Sequence, residues 1–196
     1  MENIDLLLFN WINQWPDSLK YFLLPFSQGI KWTSIQIFFL LYTIALLSFK
    51  KSRPAILLAL LCVPIANLIC DHFKHNYAAL RPCVELPYAI MRDYKLTSNG
   101  TISAHSANMA TLAVIMTFFF RKWGAIWIPI AFLAGLSRVY FALHYPSQIV
   151  YGWITGGVVA GLALWIYSFL KNKNSSCKEN DVRLQEPDLQ EKLLHK

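Results

Sequence analysis

Long apolar runs, nearly free of charge, that end in short clusters of lysine and arginine restrict this chain to helices solvated by lipid. The runs are 30–49, 55–70, 102–120, 123–143 and 145–170. About 20 predominantly apolar residues of helix are needed to cross a hydrocarbon core roughly 30 Å thick, and these runs bracket that length. A soluble domain of 196 residues has too little interior to hide them, because 56% of the residues are hydrophobic, only 15% are charged and the mean hydropathy is +0.38. The expected fold is all-α: a polytopic membrane helix bundle of five spans, or six if residues 19–30 also cross.

The ends of the runs set the organisation. Residues 1–29 carry Ile4, Leu7, Leu8, Trp11 and Ile12 at helical spacing among Asp5, Asn10, Asn13, Asp17 and Lys20, with breaks expected at Pro16 and Pro25. They read as two short interfacial helices, and they lack the basic start and small-residue cleavage site of a signal peptide. Residues 30–170 form the transmembrane domain, with small Gly152, Gly156, Gly157, Ala160 and Gly161 in the last run and a Gly157/Gly161 pair spaced for helix contact. Residues 171–196 are polar, with six basic and five acidic groups, and read as a flexible or loosely helical tail.

Lys50, Lys51 and Arg53, then Arg121 and Lys122, then Lys171 and Lys173 fall on one face if the spans alternate. The positive-inside rule makes that face cytoplasmic. A net charge of +7 placed this way fits a bilayer, and no nucleic-acid partner is expected. Cys62, Cys70, Cys83 and Cys177 lack CxxC spacing, so neither a disulfide framework nor a metal site is read.

The opposite face receives the long polar connection 71–101 and a second set of charges. Between residues 123 and 170 the only Lys, Arg, Asp or Glu is Arg138, and His144 follows it just before Pro146. An ionisable group at membrane depth is costly, so each invites a functional reading. Lys74, Arg81, Ser103, His105, Arg138 and His144 all lie near span ends on this outer surface. Three cations, a hydroxyl and helix-terminal amides suit the acceptor oxygens of a phosphate. Two histidines can divide attack on phosphorus from protonation of the leaving oxygen. Lys74, Arg81, Arg92 and Lys95 depart from the positive-inside pattern and need another job there.

Three motifs carry a resemblance to the type 2 phosphatidic acid phosphatase superfamily, whose phosphate site is shared with vanadium haloperoxidases. They are Lys74, six residues, then Arg81-Pro82; Ser103-Ala104-His105; and Ser137-Arg138 followed by His144 and Gln148. The resemblance implies that Lys74, Arg81 and Arg138 hold phosphate with Ser103 and the backbone at Ala104. It further implies that His144 is the nucleophile, forming a phosphohistidine, and that His105 is the general acid. No metal and no organic cofactor is implied. The partners implied are a lipid phosphate and the bilayer.

This sequence departs from the family pattern at Ile102 and Ala104, where proline and glycine are common. It departs again at Gln148, where the family usually has an aspartate that accepts a hydrogen bond from the nucleophilic histidine. Asp71 is the candidate to supply the missing charge. The expected activity is hydrolysis of a lipid phosphomonoester or diphosphate at the outer face of a bacterial inner membrane. Undecaprenyl diphosphate, lipid A phosphate, phosphatidylglycerol phosphate and phosphatidate are the candidate substrates. Lipid-to-lipid phosphotransfer, or a weakened lipid-phosphate binding or transport protein, would use the same cage.

Overall fold

The structure is a computed structural model that describes residues 2–28, 31–77, 79–92 and 99–194, with side chains described from residue 4 to residue 173 within those ranges. Asp93 and Lys95 of the polar connection, and His195 of the tail, lie outside the described residues. Among the described residues every regular element is helical. The helices are α1 (Glu2–Asn13), α2 (Leu19–Gln28), α3 (Thr33–Ser48), α4 (Arg53–Asn76), the single turn α5 (Pro82–Glu85), α6 (Ala104–Phe120), α7 (Trp127–Tyr140) and α8 (Pro146–Leu194), with a 3-10 turn at Gly124–Ile126 before α7.

Span lengths differ from the even set of five. Arg53–Asn76 and Pro146–Lys173 are long and apolar enough to cross a membrane, and α2 with α3 forms a pair bent by 53° that makes a third if the two are one broken span. Helices α6 and α7 are shorter apolar helices. Both are cut short by their ends: Ser103 caps α6, and the 3-10 turn takes up the start of the fourth apolar run. Residues 19–30 do not make a separate span, since α2 has ten residues. Pro25 lies inside α2 instead of breaking it.

The chain divides into two units, Met1–Ala160 and Gly161–Lys196. In the second unit the helix continues through the polar tail to Leu194. In the first, α3 has no buried residue, and Ile37, Phe38, Leu40 and Leu41 are all more than half exposed. Apolar exposure of that kind carries no penalty in lipid. A buried core lies instead where Phe9, Ile12, Leu23, Cys83, Val139, Tyr140, Phe141, Leu143 and Ile149 come together. Helices α1 and α2 are therefore packed on α7 as part of the bundle.

Close helix contact uses different glycines from the expected pair. A Cβ on Gly152 would lie 2.6 Å from the Ser103 carbonyl oxygen, and one on Gly156 2.1 Å from that of Ala107. A Cβ on Gly157 or Gly161 meets no described atom within 4 Å. The crossing of α8 on α6 thus runs through Gly152 and Gly156. It draws the start of α8 against the start of α6, where the Ser103 N–H donates to the Gln148 carbonyl at 3.1 Å.

Candidate active site

The turn after α7 explains the spacing of the third motif. The N–H groups of Leu143 and His144 both donate to the Arg138 carbonyl, at 2.9 and 3.3 Å, and that of Ala142 donates to Val139 at 2.9 Å. This is the Schellman pattern of a helix C-terminus, whose penultimate position takes a left-handed conformation. Ala142 supplies it, with φ 57°, at a cost of roughly 1–2 kcal/mol for a residue with a Cβ. Pro146 then starts α8 at once. His144 is held between two helix ends with the core beneath it, and is 3% exposed.

One helical turn later, Gln148 fixes the imidazole. Its Oε1 lies 2.9 Å from His144 Nδ1 and also receives the Tyr145 N–H at 3.3 Å, so that atom is an acceptor. The Gly100 carbonyl lies 3.2 Å from the same Nδ1. Two acceptors at Nδ1 place the proton there and leave the lone pair on Nε2. Arg81 Nη1, which can only donate, faces Nε2 at 2.9 Å. The Arg81 guanidinium is itself set by the carbonyls of Leu143 at 2.8 Å and Asn99 at 3.2 Å. Burial, then the positive charges of Arg81 and Arg138, hold the His144 pKa well below its ordinary value, against the hydrogen bonds to Gln148 and Gly100. The imidazole is therefore neutral, with its lone pair aimed at the guanidinium.

The other motif residues divide into two groups. Ser103 is fully buried and caps α6, its hydroxyl oxygen accepting from the Ser106 N–H at 3.3 Å and from the Ser106 hydroxyl at 3.0 Å. Ala104 is the first residue of α6. His105, next along, has its Nε2 2.8 Å from the Phe26 carbonyl oxygen. Arg138 Nη1 donates to the Ser27 carbonyl at 3.2 Å and to its hydroxyl at 3.0 Å. Lys74 Nζ sits 2.9 Å from Asp71 Oδ1, and Asp71 also accepts from Asn67. Asp71 is thus engaged by Lys74, and the charge absent at Gln148 is not supplied from there. Asn99 ties these strands of the site together, donating to the Lys74 carbonyl while its own carbonyl accepts from Arg81.

Several residues that build the site carry no motif. Arg92 donates to the carbonyls of Asn13 and Trp15 and stacks 4.2 Å over the Tyr140 ring, so its outer-face charge staples the α1–α2 turn to the end of α7. Asp5 caps α8, accepting the Ser147 N–H at 2.8 Å and the Ser147 hydroxyl at 2.6 Å. Losing such a cap costs about 1–2 kcal/mol. Asp5→Ala is expected to lower Tm by several degrees and to reduce turnover as the turn before α8 loosens, measured by thermal unfolding in detergent and by phosphate release. In the sequence only its place in an amphipathic stretch marked Asp5.

Nothing in the sequence marked Gly100 as a site residue. A Cβ there would lie 2.7 Å from Arg81 Cγ and 3.2 Å from Gln148 Oε1. Gly100→Ala should push Arg81 and Gln148 away from His144 and lower turnover about 10- to 100-fold, with a far smaller effect on Tm.

Comparisons with known proteins place this geometry in a lineage. A family model described as the PAP2 superfamily matches residues 55–172. A lipid A 4'-phosphatase of Bacteroides thetaiotaomicron is 27% identical over 187 residues, covering 90% of this chain and 80% of that one. An undecaprenyl-diphosphatase of Sulfolobus acidocaldarius is 27% identical over 155 residues, with 78% and 71% coverage. The crystal structure of Aquifex aeolicus LpxE superposes with a TM-score of 0.70 at 21% identity, covering 81% of this chain and 93% of that chain.

Proposed function

This chain belongs to the PAP2 superfamily, and on that premise we propose that it hydrolyses a lipid phosphomonoester or diphosphate through a phosphohistidine at His144, on the outer face of a bacterial inner membrane. The observation that carries the reading is the pinned tautomer: the Nδ1 proton held by Gln148 and Gly100, and an Nε2 lone pair that accepts from the Arg81 guanidinium. When a phosphoryl group takes Arg81 as its ligand, that lone pair forms the N–P bond while the P–O bond to the lipid breaks. His105 gives its proton to the departing oxygen. Water then attacks phosphorus as His105 takes one of its protons, the N–P bond breaks, and phosphate and His144 are released. Arg81, Arg138 and Lys74 neutralise the developing charge.

The hydrocarbon of the substrate has a place beside this chemistry. A cavity of about 590 Å³ lies between α2, α3, α4, α6 and α7, lined mostly by apolar side chains, with His105 at its α6 N-terminal end and Tyr42 and Thr43 on its α3 wall. That volume is in the range that holds small-molecule ligands. Its walls include Phe39, Leu60, Leu112 and Met116, and it runs from Met116 up α6 to His105. At 1.5 Å per residue this is about 16 Å of depth. The activities named for the bacterial and archaeal relatives make lipid A phosphate and undecaprenyl diphosphate the leading substrates. Phosphate release by the detergent-solubilised chain, across these two lipids, phosphatidylglycerol phosphate and phosphatidate, tests the reading. Equal release by wild type and His144→Ala on every substrate would reject it.

A further inference from the structure

We propose that the last turn of α2 is an internal ligand of the phosphate cage, a latch that the substrate's phosphoryl group must displace. This rests on the phosphatase reading above. The last four carbonyls of a helix have no intrahelical partner and carry the negative end of its dipole. In α2 two of these, at Phe26 and Ser27, are taken up by the general-acid candidate His105 and the phosphate-ligand candidate Arg138. The Ser27 hydroxyl adds a third oxygen, on the same Arg138 nitrogen. Three oxygens from two consecutive residues thus occupy groups that a phosphate would need. A phosphoryl dianion makes charge-assisted bonds to such donors, roughly twice as strong as those to a neutral carbonyl. It is therefore able to compete for them.

The rest of α2 is built to let its end move while its body stays. Leu23 is 2% exposed and anchored in the core beneath the His144 turn. Two residues later Pro25, lacking an N–H, leaves the Tyr21 carbonyl without its helical donor and weakens the ladder just before the latch. Pro25, Phe26 and His105 also line the apolar cavity. The latched turn therefore stands at the junction between the hydrocarbon site and the phosphate site, and releasing it joins the two.

Two measurements on the full chain in detergent test this without turnover, so a failure here is separable from failure of the phosphatase reading. Removing the hydroxyl in Ser27→Ala weakens the closed state and raises the fraction able to bind. Inorganic phosphate should bind about 3- to 10-fold tighter by calorimetry, with Ser27→Thr close to wild type. Unchanged or weaker binding by Ser27→Ala means that the turn only positions Arg138, and overturns the latch. The second measurement places a thiol on the latch: Ser27→Cys in a Cys177→Ser background, where Cys62, Cys70 and Cys83 are buried. Saturating phosphate should speed its reaction with a polar maleimide several-fold. A rate that is unchanged or slowed by phosphate also overturns the proposal.

Discussion

Replacing His144 with alanine is expected to remove phosphate release almost completely, by about 10⁴- to 10⁶-fold in turnover, as loss of a covalent nucleophile does elsewhere. The fold should survive the change, since Arg81 Nη1 keeps its 2.8 Å bond to the Leu143 carbonyl and the Schellman turn is made by backbone alone. Wild type given ³²P-labelled substrate and quenched in alkaline detergent should carry label stable to alkali and lost in acid, and the variant should carry none.

The pH dependence of the wild type follows from the same site. Because the His144 pKa is held below its ordinary value, the free protein keeps this proposed nucleophile neutral into acid. The limb of kcat/KM that reports His144 lies below about pH 6.5. For stability the sign is the same. Between the unfolded pKa and the lowered folded one the unfolded chain binds more protons, so this contribution is complete above about pH 6.5 and is lost as pH falls through the folded value. The variant lacks that component.

The membrane class and the motif residues were legible because each depends on local chemistry. Apolar run length specifies a span, and Arg138, His144 and Gln148, singled out by the family resemblance, lie at separations that one helix C-cap and one helical turn impose. The partners of those residues were not legible, because they are backbone atoms or come from distant segments. The Phe26 carbonyl on His105 and the Ser27 carbonyl on Arg138 are separated from their partners by 79 and 111 residues, and no side-chain pattern announces an acceptor that every residue possesses. The role of α1 was hidden for a related reason. Amphipathic spacing is the same whether the apolar face meets lipid or protein, and only the contact of Phe9 with Tyr145 and the cap from Asp5 distinguish the two. Glycine pairs were likewise visible as pairs, but which pair faces a neighbour depends on the rotation of α8, which the flanking sequence leaves open.

The second large effect is expected at Gln148, where a neutral amide holds a histidine that, in the proposed mechanism, must become cationic as it bonds to phosphorus. Gln148→Glu puts a carboxylate oxygen where Oε1 now lies, 2.9 Å from Nδ1, without shortening the side chain. The new charge faces two fixed positive groups, since Arg81 and Arg138 already act on His144, and it keeps the Tyr145 N–H as a donor. Unit charges about 4 Å apart interact by roughly 4 kcal/mol at an effective dielectric of 20. Part of this is offset by burying the carboxylate and by its attraction to the arginines in the resting state. A gain in kcat of about 10- to 100-fold remains as the expected result, set against the roughly 10⁴-fold loss when an orienting carboxylate is neutralised in a serine protease. The carboxylate also favours the protonated imidazole, so the acid limb of kcat/KM should move to higher pH, a change that mere repacking would not cause. Gln148→Asp is one methylene shorter, about 1.5 Å, and should gain less unless the first turn of α8 shifts toward His144. If Gln148→Glu moves the limb upward yet lowers kcat, the site is tuned to a neutral partner and to a nucleophile that stays unprotonated in acid.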